Sequence, residues 1–221
     1  MTLDRTTVVT LTESALSGGA PMHALAERAL MLCGSERMIL VVPATPREQA
    51  AIESRVARTS PALDVEGRAA LITLAARENS QRFAGLFRSL GVDARLLDPL
   101  RFAPITRGNA LEAEPRLLHA RRYESAVRDA RVLVIAGGVG RSPEGRLTSL
   151  GTGGASLSGL FIAQRLGLEG RLIVGVGEYG ASEAFELPRR ASLFARRHGL
   201  HADLVPIVEP AQSPEAEALP A

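Results

Sequence analysis

Residues Arg131–Leu166 read RVLVIAGGVGRSPEGRLTSLGTGGASLSGLFIAQRL, and the order of residue types along this stretch decides the fold. Arg131–Ala136 is a continuous apolar run of the kind found in parallel strands buried on both faces. Gly137, Gly138 and Gly140 end it at once, and Pro143-Glu144-Gly145 marks the tip of a hairpin. Arg146–Leu150 returns as an extended stretch into Gly151, Gly153 and Gly154, and Ala155–Leu166 then carries the apolar spacing of a helix. A glycine turn leading into a helix has chemical consequences. Glycine lets the backbone take positive φ and approach a ligand closely, while the helix start adds unpaired N–H groups and partial positive charge. Thr148, Ser149, Thr152 and Ser156 add hydroxyls. The turn reads as a cradle for a small anion. A tight strand-to-helix turn that needs glycine for geometry alone is the other reading.

Outward from this stretch, apolar strand runs alternate with helical spacing. Upstream lie a strand at Thr6–Leu11, a loop at Ser17–Gly19, a helix at Met22–Leu32 closed by Gly34, and a strand at Met38–Val42 ended by Pro43 and Pro46. Helices follow at Arg47–Arg58 and Val65–Leu90, the second with Gly91 as its C-cap, and then a short strand at Val92–Leu97. Residues 98–115 hold Pro99, Pro104, Gly108 and Pro115 and read as a loop-rich excursion, and Arg116–Arg128 reads as a helix. Downstream come a strand at Arg171–Val176, a glycine cluster at 175–180, a helix around Ser182–His198 interrupted or begun near Pro188, and a last strand at Ala202–Val208. The expected fold is α/β, a three-layer αβα sandwich with a largely parallel sheet over residues 1–208. Residues 209–221, rich in Pro, Ala and Glu, read as a disordered acidic tail.

Composition narrows the function classes. With 46% apolar and 23% charged residues the chain has material for a core. Cys33 is the single cysteine, so no internal disulfide forms and a reducing compartment is expected. The sequence shows no leader pattern and no apolar run of the ~20 residues that span a bilayer. The expected setting is cytoplasmic, with no membrane partner. All 26 basic residues are arginine. Without lysine there is no Schiff base and no lysine cradle for phosphates. The arginines alternate with acids, and aromatics make up 4%, so no nucleic-acid partner is expected.

Other motifs point less far. Gly175-Val-Gly177-Glu-Tyr-Gly180 matches a dinucleotide turn. Its place near the C-terminus, Pro188 and the negative Glu178 argue against that use. His198 and His201 flank Gly199 without further ligands, so no metal site is expected. Glu13 and Ser14 carry nucleophile chemistry, but no histidine stands near them in the chain. Cys33 has no partner motif and reads as a buried thiol.

Residues 131–166 resemble the aspartate kinases of the amino-acid kinase family. There a strand, a Gly-Phe-x-Gly turn, a Glu-Gly hairpin and Thr-Thr-Leu-Gly-Arg-Gly-Gly-Ser-Asp lead into a helix. The counterparts are Gly137–Gly140, Glu144-Gly145 and Thr148–Ser156. Arg77-Glu78-Asn79-Ser80 is similar to the family's Gly-Glu-x-x-Ser at a helix start. That resemblance implies that Glu78 meets the amine of a bound amino acid, and its plainer reading is an exposed acid in a helix's first turn. Gly180-Ala181 through Pro188-Arg189, then Ala195–Gly199, resemble the family's Gly-Ala-Lys-Val-Leu-His-Pro-Arg stretch with two extra residues. The ligand residues implied are Gly137, Gly138, Gly140, Thr148, Ser149, Gly151, Thr152, Gly153, Gly154, Ser156 and Glu78.

The departures fall where charge does the chemistry. The family opens with Lys-Phe-Gly-Gly-Thr-Ser, where this chain has Thr10-Leu11-Thr12-Glu13-Ser14. The substrate-binding arginine and catalytic aspartate of the family are here Thr152 and Ser156. The segment that builds much of the nucleotide pocket has no room between Leu166 and Gly180, and nothing matches the family's regulatory ACT domains. Three functions stay open. One is a degenerate aspartate-kinase-like protein that binds a small anionic or amino-acid-like ligand, or a partner, without phosphoryl transfer. Another is a divergent amino-acid or carboxylate kinase that takes Mg-ATP as cofactor. The third is a scaffold that forms a homodimer or joins a partner subunit.

Overall fold

Side-chain parity along the apolar strands sets the layers. The computed structural model describes Leu3 and residues 5–174, 187–201 and 203–206. Along the chain run β1 (Thr6–Leu11), α1 (Glu13–Ser17), α2 (Met22–Cys33), β2 (Arg37–Val42), α3 (Pro46–Thr59), α4 (Val65–Ser89), β3 (Ala94–Leu96), α5 (Pro99–Phe102) and β4 (Ile105–Arg107). Then follow β5 (Glu114–Leu117), α6 (Ala120–Asp129), β6 (Val132–Ala136), β7 (Val139–Arg141), β8 (Leu147–Ser149), α7 (Gly154–Leu166), β9 (Glu169–Val174), α8 (Arg189–His198) and β10 (Asp203–Pro206). Six strands form one parallel sheet in the order β10-β9-β1-β2-β6-β3.

Successive strand residues point to opposite faces. Val9, Leu11, Leu40, Val42 and Val134 pack on one side with Leu25 of α2 and Phe83 and Phe87 of α4. Val8, Ile39, Val41, Leu133 and Ile135 pack on the other with Tyr123 of α6 and Phe161 of α7. Two apolar clusters on either side of one sheet make the expected three-layer αβα sandwich. Tyr123 is fully buried and still satisfied, because its hydroxyl donates to the Phe102 carbonyl at 2.7 Å.

The excursion at 98–115 is more ordered than its prolines suggest. It holds α5 and β4 and leads into β5, and these strands join the β7–β8 hairpin in a second sheet of order β5-β4-β7-β8. Pro115 is tolerated because β5 is an edge strand. The helix expected from Arg116 starts at Ala120, since Glu114–Leu117 is strand. A short helix, α1, precedes the loop at Gly18, capped by the Thr12 hydroxyl, which accepts from the Ala15 N–H. The helix near Pro188 begins there, with Pro188 as its N-cap. The glycine cluster at 175–180, residues 182–186 of the expected helix and the tail at 209–221 lie outside the described residues.

Gly159 sets how closely α7 lies on β1. A Cβ there would overlap Thr10 Oγ1 and sit 3.0 Å from Thr10 Cβ. Glycine inside a helix is unfavourable by roughly 0.5–1 kcal/mol against alanine, so propensity alone would make Gly159→Ala stabilising. Overpacking of about 1–3 kcal/mol outweighs that. Gly159→Ala is expected to lower the melting temperature by about 2–8 °C, and adding Thr10→Ala should recover part of the loss. Thermal denaturation checks this: equal melting of wild type and Gly159→Ala would contradict the close approach.

Candidate functional site

Three parallel strands end at one cleft. β1 runs out into Thr12 and Glu13, β2 into Pro43 and Ala44, and β6 into Gly137 and Gly138, and all of these but Thr12 line the cleft. Open parallel sheets bind ligands at this end of the strands. Gln49 of α3, Ile72, Thr73 and Ala76 of α4, and Val139, Ser149, Gly151 and Ala155 complete the wall. The space left is about 10 Å³, room for a single water molecule.

The wall is built by the turn from β8 into α7. Gly151 has φ +74° and Gly153 φ +68°, a backbone region that L side chains rarely adopt, so the chain reverses within four residues. Ser149 Oγ accepts from the Gly151 N–H at 3.1 Å, and the Leu150 N–H donates to the Gly138 carbonyl at 2.8 Å. α8 closes the turn from outside. A Cβ on Gly153 would collide with Pro188, and Arg190 donates to the carbonyls of Leu150, of Ala113 at 2.9 Å and of Glu112 at 3.3 Å.

α7 has no side-chain cap of its own, since its N-cap is Gly153 and its first turn lacks an acid. The Glu13 carboxyl, from α1, faces this helix start, and the Gly153 N–H favours its charged form. Burial pushes the Glu13 carboxyl above its usual range, and the nearby Gly153 N–H offsets only part of that shift. The position that faces the turn is therefore a carboxyl and not a cation.

The expected site residues divide into two sets. Gly137, Gly138, Ser149 and Gly151 line the cleft, and Gly153 and Gly154 form the turn beside it. Thr152 is exposed on the turn. Gly140, Thr148 and Ser156 stand elsewhere. The Thr148 hydroxyl bonds Thr106 at 2.8 Å between the strands of the second sheet. A Cβ on Gly140 would overlap Thr106 there. Ser156 is buried inside the α7 packing. Glu78 does not open a helix: it lies in the middle of α4, exposed, paired with Arg82 at 2.5 Å. Its neighbour Asn79 is the residue of that motif that reaches the site. Asn79 is buried, and its amide donates to the Pro43 carbonyl at 3.2 Å and to Glu48 at 3.0 Å, fixing the loop after β2. Arg190 and Gln49 were not legible as site residues, because only the fold brings α8 and α3 to the turn. Among the described residues no group of three or more His, Cys, Asp or Glu side chains stands together to hold a metal ion.

A parallel α/β sandwich with a glycine turn at the carboxyl ends of β1, β2 and β6 defines a class, and the sequence places the chain in it. The chain belongs to the amino acid kinase family, whose model matches residues 5–175. No curated protein matches the sequence. Among solved structures, the aspartate kinase from Synechocystis superposes with a TM-score of 0.70 at 18% identity, over 94% of this chain and 40% of that one. E. coli aspartokinase III in complex with aspartate and ADP gives 0.73 at 15% identity, over 90% of this chain and 62% of that one. An isopentenyl phosphate kinase gives 0.62 at 14% identity, over 91% of both chains. The chain spans less than two thirds of the length of those two aspartate kinases. Among the described residues no helix is long and apolar enough to cross a membrane.

Two outcomes follow from this geometry. Arg190→Ala removes the donors to three carbonyls, and destabilisation of about 1–3 kcal/mol is expected in chemical denaturation. Arg190→Lys should restore little, because an ammonium lacks the planar fork, and full recovery by lysine would contradict the clamp. Glu13 supplies the second outcome. A carboxyl raised in the folded state contributes stability below its unfolded pKa and loses it as pH rises through the folded value. Glu13→Gln should therefore melt above wild type at pH 7 and lose that advantage as pH falls below 4.5. A melting difference that does not change with pH would contradict the buried carboxylate.

Proposed function

We propose that this chain is a non-transferring member of the amino acid kinase family, whose cleft binds a small oxyanion or an amino-acid-like ligand without moving a phosphoryl group. One observation carries the reading: the charge facing the Gly151–Gly154 turn is the Glu13 carboxylate, where phosphoryl transfer calls for a cation. Arg190, the cation beside the turn, has its guanidinium engaged with backbone carbonyls. The chain holds no lysine to take its place.

The described residues do not fit Mg-ATP. Among the described residues the cleft is lined by one carboxylate and no cation. A triphosphate would lie against Glu13, and two unit charges 4 Å apart repel by about 4 kcal/mol at an effective dielectric of 20. Losing one transition-state electrostatic contact lowers rate by roughly 10²–10³, and here several are replaced together.

A second reading, a divergent carboxylate kinase, draws on the fold shared with E. coli aspartokinase III in complex with aspartate and ADP. A third, a homodimer or partner subunit in the cytoplasm, needs no ligand. Melting with and without ligand separates the three. At about tenfold Kd a ligand stabilises by about 1.4 kcal/mol, so inorganic phosphate or L-aspartate is expected to raise the melting temperature by about 3–6 °C. Mg-ATP should give no shift and no ADP. Thr152→Glu adds an exposed acid at the start of α7, which the helix dipole tolerates, and should abolish the oxyanion response while the unliganded protein melts normally. ADP formation dependent on a carboxylate substrate would overturn the proposal. A defined oligomer with no ligand response would favour the subunit role.

A further inference from the structure

Two helices frame a pocket that the cleft does not account for. On α3, Gln49, Glu53 and Val56 recur at helical spacing, and on α4 Arg68, Ile72 and Ala76 do the same, so each set shares one helix face. Gln49, Ile72 and Ala76 line the cleft. Further along the same faces, Glu53, Val56, Arg68 and Ile72 line a separate pocket of about 190 Å³, joined by Leu111 from the loop before β5. Ile72 belongs to both and forms the wall they share.

This pocket combines an apolar floor with two opposite charges. Val56 is buried, and Ile72 and Leu111 are half-buried. Glu53 and Arg68 are exposed and line the pocket from opposite helices, yet neither makes a salt bridge among the described residues. The volume exceeds the roughly 150 Å³ of an apolar cavity that takes up benzene, so the floor has room for a hydrocarbon group. We propose that the pocket binds a free α-amino acid with an apolar side chain, its ammonium on Glu53, its carboxylate on Arg68 and its side chain against Val56, Ile72 and Leu111. The site is distinct from the oxyanion cleft and does not depend on that reading.

An α-amino acid carries both charges on one carbon and so answers both protein charges at once. A carboxylic acid alone would meet repulsion from Glu53, and an amine alone would meet it from Arg68. The guanidinium fork matches the two oxygens of a carboxylate, and the Glu53 carboxylate accepts from an ammonium. Exposed ion pairs on their own contribute little. Affinity therefore depends on the apolar floor as well, since each methylene taken out of water adds to it, and glycine has none to offer. The Leu111 carbonyl stands 3.5 Å from where a Cβ on Gly151 would sit. A bound amino acid thus adjoins the glycine turn without entering the cleft.

Calorimetric titration of L-leucine into wild type, Glu53→Gln, Arg68→Gln and Thr152→Glu tests this. Glycine, 4-methylpentanoate and 3-methylbutylamine serve as probes that lack the side chain, the amine and the carboxylate in turn. Both glutamine substitutions fall at exposed helix positions, where glutamine is a good helix former, and thermal melting checks that each variant is folded. L-Leucine is expected to bind wild type, and at least tenfold more weakly to Glu53→Gln and to Arg68→Gln. Each of the three lesser probes should bind wild type at least tenfold more weakly than L-leucine, and Thr152→Glu should bind L-leucine as wild type does. No L-leucine binding to folded wild type, or equal affinity in both glutamine variants and wild type, would overturn the site. Loss of L-leucine binding in Thr152→Glu would put the ligand in the cleft and overturn it too. Failure of wild type to bind phosphate while L-leucine binds as expected would remove the cleft reading alone.

Discussion

The Glu13 carboxyl, at the end of β1, stands against the glycine turn that opens α7, and the charge of the cleft follows from it. Two positive-φ glycines, Gly151 and Gly153, aim the first turn of α7 at the carboxyl ends of the central strands. A helix start presents unpaired N–H groups and partial positive charge to that cleft. Because the first residue after Thr12 is an acid, a carboxyl lines the cleft beside this turn.

The surrounding packing holds the turn in place. Pro188 fills the space that a side chain at Gly153 would need, and Arg190 ties the turn to the carbonyls preceding β5. Asn79 and Glu48 fix the loop after β2, with Glu48 also closing the capping box on Thr45. The amino acid kinase fold shared with aspartate kinases supplies the frame, and function depends on the charges placed in it.

Much of this frame was legible in the sequence, and the reason is periodicity. TTVVTL, RMILVV and VLVIA are apolar without alternation, as strands buried on both faces must be, and they became β1, β2 and β6. The glycine turn was legible because positive φ leaves few alternatives to glycine. Residues 98–115 misled because their prolines sit at the start of α5, before β4 and on an edge strand, where proline breaks nothing. The site was legible only in part. Glycine and hydroxyl spacing marked the turn but not which hydroxyls face the cleft, so Thr148 and Ser156 turned out to serve packing. Glu13 was visible as an acid where the family has a lysine-bearing loop. Its role became apparent only when the fold set it against Gly153.

The Gly153 amide reports on the central claim most directly. In proton–nitrogen correlation spectra its proton shift should titrate with a midpoint above the usual carboxyl range, and that titration should vanish in Glu13→Gln. A Gly153 shift that stays flat with pH, or titrates identically in Glu13→Gln, would show that no carboxylate sits in the cradle.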